Sequence, residues 1–302
     1  MKLYAPKYYE KFVCIADRCR HSCCIGWEID VDRETAEKYK KMTDGYGLEI
    51  KKSLSHKGTT HFKLKKDDRC PHLNEHGLCK IILNVGEDCL CEICREHPRF
   101  YNDTCRGKEV GLGMSCEEAC RIILSSDLYT EFAEIGEIDE PFDSEEWEFD
   151  AVTERDGIYR ILSDSSLSRV EKLMLIEEKY AVSPKNISDE GWRDRILSLE
   201  YLINGHRDLF VLYSSDAEVS ADAEKPLERA LAYFIFRHCS VACDESEFRA
   251  ALGFSLFCER LLASLSVNRA FDEICDLARI ISEELEYSED NTDAIKTEFY
   301  FV

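Results

Sequence analysis

The stretch PLERALAYFIFRHCSVA, residues 226–242, followed closely by ESEFRAALGFSLFCERLLASL, residues 245–265, sets apolar side chains at helical spacing. The same spacing runs outward into SRVEKLMLIEEKY (168–180), WRDRILSLEYLI (192–203) and RAFDEICDLARIISEEL (269–285). Ser168 with Glu171 three residues later is a capping-box pattern. Pro226 falls where a first-turn proline is tolerated. Alternating runs are scarce, and THFKLK (60–65) is a weak one. The expected fold class is therefore mainly α. Within these helices Cys239, Cys243, Cys258 and Cys275 read as small core residues, and the final EFYFV as an apolar segment that docks.

The chain has 302 residues, 44% hydrophobic and 33% charged, the composition of a globular protein. No apolar run approaches the roughly 18 residues of a membrane span. The opening MKLYAPKYYEKF lacks the apolar core of a signal peptide, so a cytoplasmic location is expected. A reducing compartment in turn argues against a disulfide framework for the sixteen cysteines. Charge is uneven. Residues 1–125 carry 22 Lys+Arg and 20 Asp+Glu, whereas residues 126–302 carry 17 and 41. Twelve of the cysteines and six of the eight histidines lie in the first part. The expected organisation is an irregular cysteine-rich module over 1–125, an acidic connector over 126–155 and an acidic helical domain over 156–302. So acidic a domain repels a phosphate backbone, which argues against nucleic acid and for a basic protein partner.

The thiols come in groups: Cys14, Cys19, Cys23 and Cys24; then Cys70 and Cys79; then Cys89, Cys91 and Cys94; then Cys105, Cys116 and Cys120. A tetrahedral zinc site usually shows two close pairs, and only Cys91 and Cys94 have the C-x2-C spacing. Scattered cysteines flanked by glycines favour a larger iron–sulfur cube, with zinc as the alternative. Asp32 reads as the cap of a short helix. Ser115 with Glu118 reads as a second capping box that places Cys116 in a first helical turn, where thiolate is favoured. No Rossmann-type glycine loop, P-loop, H-E-x-x-H or G-x-S-x-G occurs.

Three segments together, FVCIADRCRHSCCIGWEIDVD (12–32), RCPHLNEHGLCKIILNVGEDCLCEICREHPR (69–99) and GLGMSCEEACRIIL (111–124), resemble the FliB type of flagellin lysine-N-methylase. The N-terminal part of that family shares a cysteine-cluster module with YkgJ-type proteins. The resemblance implies a protein-lysine methyltransferase that moves methyl groups from S-adenosylmethionine to flagellin lysines and contains a [4Fe-4S] cluster. It puts the metal ligands among Cys14, Cys19, Cys23, Cys24, Cys70, Cys79, Cys94 and Cys116, with Cys89, Cys91, Cys105 and Cys120 as additions. Arg95 and Arg99, with His97, become candidate contacts to a cluster or cofactor carboxylate. The alternative is a non-enzymatic zinc- or iron-binding assembly protein that uses the cysteine module structurally.

Overall fold

The computed structural model describes residues 1–43, 45–139 and 147–300. The chain forms two compact units: Val13–Arg99, and Met1–Phe12 together with Phe100–Val302. It is mainly α-helical.

In the second of these, the spine is the helix Glu245–Leu265, capped by Asp244, whose carboxylate accepts from the Glu247 N–H at 2.8 Å. This helix is apolar on nearly every side, so it is buried on nearly every side, as a central helix must be. Helix Ala221–Cys239 folds back along it, burying Ala230, Leu231, Phe234 and Ile235. Around the pair pack helices Glu117–Ser125, Ala151–Leu162, Phe271–Ile281 and Glu289–Thr297. Cys239, Cys258 and Cys275 are buried in this core, as expected of filler. Cys243 is not; it lies exposed beyond the helix end. Pro226 also differs from expectation. The helix starts at Ala221, so the proline sits inside it, close enough to the start that one lost backbone bond is tolerated.

The acidic stretch after residue 126 is not simply a connector. Phe132–Glu137 is a strand pairing antiparallel with Lys2–Pro6, which pairs on its other side, in parallel, with Gly107–Leu112. Arg99–Thr104 completes the four-stranded sheet. Ion pairs from Lys2 to Glu134 and Lys7 to Glu131 give those carboxylates their local cations. Residues 140–146 of the expected connector, and Phe301 and Val302 of the expected docking segment, lie outside the described residues. Phe299 is buried. Arg155 ties the sheet to helix Ala151–Leu162: its guanidinium donates to Glu109 at 2.6 Å and Ser240 at 2.9 Å, and lies 4.3 Å from the centre of the Phe132 ring.

Of the two expected capping boxes, the one at Ser168 and Glu171 is formed. The one at Ser115 and Glu118 is not. Cys116 itself is the N-cap of Glu117–Ser125, and Glu118 pairs instead with Arg121 one turn on. The Ser115 hydroxyl is buried with no hydrogen-bond partner among the described residues.

The unit Val13–Arg99 has its own core of Ile29, Val31, Tyr39, Ile50, Phe62, Ile81 and several thiols. Asp32 caps helix Arg33–Lys41 through the Thr35 N–H, as its position suggests, and its second oxygen accepts from the Glu92 N–H at 2.8 Å. Helix Gly45–Ser53 follows. Of THFKLK, only His61–Phe62 is strand, paired with Leu54–Ser55. The compact unit thus excludes residues 1–12 and 100–125, which the expected module 1–125 included. Strand Lys2–Pro6 and helix Glu117–Ser125 find their partners in the other unit.

Candidate functional site

Three local devices gather sulfurs in the Val13–Arg99 unit. Cys24 and Cys70 are joined across an antiparallel bridge: the Cys70 N–H donates to the Cys24 carbonyl at 2.8 Å, beside the Ile25–Arg69 pairing. Gly26 makes this possible with a φ of 86°. The loop PHLNEHGL then folds back on itself. The Asn74 side chain accepts from the N–H groups of His76 and Leu78, both at 2.9 Å, and Gly77 takes a φ of 75°. This turn returns Cys79 to pair with Leu73, close to Cys70. Lastly, C-x2-C turns over so that the Cys94 N–H meets the Cys91 carbonyl at 3.1 Å.

These devices bring five thiols into one neighbourhood. Cys94 lies within electrostatic reach of Cys91, Cys24 and Cys70, and Cys79 within that of Cys24 and Cys91. The main chain also turns its donors on the sulfurs: N–H groups of His72 and Leu73 on Cys70, and of Ile81 and Ile82 on Cys79. Burial pushes the Cys70 thiol up to about 11 and raises Cys79 as well. Two others lean toward thiolate. A hydrogen bond from Cys23 brings Cys24 down to about 7, and one from Cys94 lowers Cys91. Cys94 correspondingly holds its proton. Of the five, Cys70 and Cys91 are buried and Cys24, Cys79 and Cys94 half-buried.

The other sequence candidates are placed differently. Cys14 and Cys23 are exposed, and the Cys19 thiol bonds to the His21 carbonyl at 3.3 Å. Cys89, at the edge of the group, donates to the Val85 carbonyl. Cys116 belongs to the other unit, where it is an electrostatic neighbour of Cys120, whose thiol donates to the Cys275 carbonyl at 3.3 Å. Arg95 is exposed and pairs with Glu96, while Arg99 is half-buried at the start of strand Arg99–Thr104. His97 has a buried Nε2 without a hydrogen-bond partner among the described residues. His72 is excluded as a ligand because both ring nitrogens are engaged, by Tyr46 and Ser53, each at 2.8 Å. Its burial takes it down to about 4.

A feature the sequence did not announce lies in the helical unit. A pocket of about 390 Å³ is walled by strand residues Phe100 to Asn102, helix residues Arg237 and His238, Glu286, and one face of helix Glu289–Thr297. Glu286 is fully buried, bonded to His238 at 2.8 Å and Tyr233 at 3.0 Å, and paired with Arg237 at 3.4 Å. Burial works to raise its carboxyl, yet Arg237 and His238 hold it below the ordinary range. Nothing local in the sequence marks Glu286, which sits among the carboxylates of SEELEYSED (282–290); Arg237 and His238 stand out only as polar residues after the apolar run LAYFIF.

The flagellar biosynthetic protein FliU of Salmonella muenchen is 30% identical over 129 residues, 40% of this chain and 75% of that protein. The chain belongs to the FliU/FliB family. Within that family, proteins named lysine-N-methylase from Salmonella typhimurium and Salmonella choleraesuis are each 29% identical over 129 residues. The chain spans about a third of their length, 32% in both cases, and the match covers 40% of its own. No protein-family model matches the chain, and no solved structure matches it. No helix among the described residues is long and apolar enough to cross a membrane.

Proposed function

We propose that this chain acts in S-adenosylmethionine-dependent methylation of lysine side chains on flagellin, as an enzyme whose cysteine-rich unit holds a [4Fe-4S] cluster. The observation that carries the reading is family membership alongside proteins named lysine-N-methylase. The flagellar name of a third relative supports a flagellar substrate. In the reaction a neutral lysine amine forms an N–C bond as the S–CH₃ bond breaks. S-adenosylhomocysteine leaves, and the amine sheds its proton.

The donor set of the cysteine-rich unit fits a thiolate-bound centre. Cys24, Cys70, Cys79 and Cys94, with Cys91 beside them, would hold it, and the N–H groups aimed at Cys70 and Cys79 would stabilise the ligated sulfurs. Such a cluster, when bound, supplies a redox-active iron centre. Arg95, paired with Glu96, and Arg99 are the arginines nearest in sequence to Cys94. Both a [4Fe-4S] cube and a structural zinc take four thiolates; the scatter of these cysteines over turns, with C-x2-C only at Cys91 and Cys94, is what favours the cluster.

Protein purified without oxygen should be brown and contain iron and acid-labile sulfide. Cys24→Ser and Cys70→Ser should lose them, while the exposed Cys243→Ser should not. A colourless anaerobic preparation carrying stoichiometric zinc would overturn the cluster. Co-expression with flagellin should add increments of about 14 Da per methyl group to its lysines, read by mass spectrometry. The second reading, a non-enzymatic metal-binding or assembly protein, draws on the short coverage of the methylases. Full metal content with unmodified flagellin would select it.

A further inference from the structure

We propose that the polar pocket of the helical unit seats the amino-acid-bearing methyl donor, S-adenosylmethionine; this rests on the methyl-transfer reading above. The volume, about 390 Å³, is that of small-molecule sites.

Its floor is prearranged. Arg237 lies between two rings, 4.7 Å from the centre of Phe100 and 4.9 Å from that of Tyr287. Tyr233 accepts from Arg237 at 3.1 Å and donates to Glu286. Glu286 closes the segment Ser282–Glu286, a π-helical turn, and such turns concentrate at functional sites. Since Arg237 balances Glu286, the floor itself calls for no charged guest.

The opposite wall does. On helix Glu289–Thr297 the residues Glu289, Thr292, Asp293 and Lys296 recur at spacings of three, one and three, and all line the cavity. Glu289 and Asp293 are exposed carboxylates, and Lys296 is a half-buried ammonium with no ion-pair partner among the described residues. A free amino-acid group carries the inverse of this pattern, an ammonium for the carboxylates and a carboxylate for Lys296. A lysine side chain alone would bring a second ammonium up to Lys296. An inorganic anion would face two carboxylates. Only a guest with both charges meets the whole wall. Tyr101, half exposed at the mouth, offers a flat face to an adenine ring.

The test is calorimetric binding of S-adenosylhomocysteine and of adenosine to the full chain, with Lys296→Met and Asp293→Asn as variants whose fold is checked by circular dichroism. Expected is a tenfold or greater loss of S-adenosylhomocysteine affinity in each variant, with adenosine binding insensitive to both. Equal S-adenosylhomocysteine affinity in wild type and variants would overturn the pocket assignment and leave the methyl-transfer reading standing. Binding of free lysine or inorganic phosphate in place of S-adenosylhomocysteine, lost in the same variants, would overturn the donor assignment. No S-adenosylhomocysteine binding by any form, with flagellin unmodified, would overturn the reading beneath it as well.

Discussion

Arg155 and Glu109 form an ion pair of which neither side chain reaches solvent appreciably, at 3% and 5% exposure. Replacing Arg155 with methionine leaves the carboxylate buried without its cation, and should cost on the order of 3–5 kcal/mol in denaturant unfolding. Arg155→Met combined with Glu109→Leu should recover most of that, because the second change removes the uncompensated charge. A single variant within about 0.5 kcal/mol of wild type would contradict the account. This pair was not legible in the sequence, since 46 residues separate its members and nothing local marks either one. The thiols were legible in part. C-x2-C at Cys91 and Cys94 announces its own turn, and the asparagine and glycine between Cys70 and Cys79 announce theirs. Which sulfurs meet across segments is set by the Cys24–Cys70 bridge, a long-range backbone pairing that spacing does not encode.

Helix starts show the same division at the next scale. At Ser168 the box forms because Glu171 has no nearer partner; at Ser115 it fails because Arg121 claims Glu118. Asp150 caps helix Ala151–Leu162, accepting from the Thr153 N–H at 2.8 Å and hydroxyl at 2.6 Å. Slight burial works to raise its carboxyl, but these bonds and Arg106 hold it at about 2. A carboxyl depressed on folding stabilises fully above its unfolded value of about 4, and that contribution is lost as pH falls toward 2. Asp150→Ala should therefore cost about 1 kcal/mol at neutral pH, and the gap from wild type should close through that window. Packing between elements offers a sharper case. An alanine Cβ at Gly253 would lie 2.2 Å from the Phe299 ring. Helix propensity favours Gly253→Ala by about 1 kcal/mol, while overpacking costs about 1–3. Net destabilisation in a thermal melt, relieved by adding Phe299→Leu, is the expected result.

Each of the two units encloses an apolar core of its own, and the gathered thiols Cys24, Cys70, Cys79, Cys91 and Cys94 all belong to one of them. Metal removal should consequently be felt unequally. Stripping the proposed centre with a chelator should raise amide exchange throughout residues 13–99 while protection in helix Glu245–Leu265 persists, because ligation free energy is folding free energy for the unit that binds. Uniform loss of protection would oppose this. The mainly α character was readable because residues 226–265 bury themselves locally, whereas the split of the chain was not. Composition changes near residue 125, but the compact units divide after residues 12 and 99, because strand Lys2–Pro6 pairs with strands far along the chain. That pairing bears on how the molecule is born. The strand Lys2–Pro6 leaves the ribosome about a hundred residues ahead of its neighbour Gly107–Leu112, and further still ahead of Phe132–Glu137. Chains fold in domains as they emerge, at about 5–20 residues per second, so the segment between can close first. The thiol-bearing unit would then be closed, and ready for the proposed metal, while the first strand still waits, unpaired, for partners not yet translated.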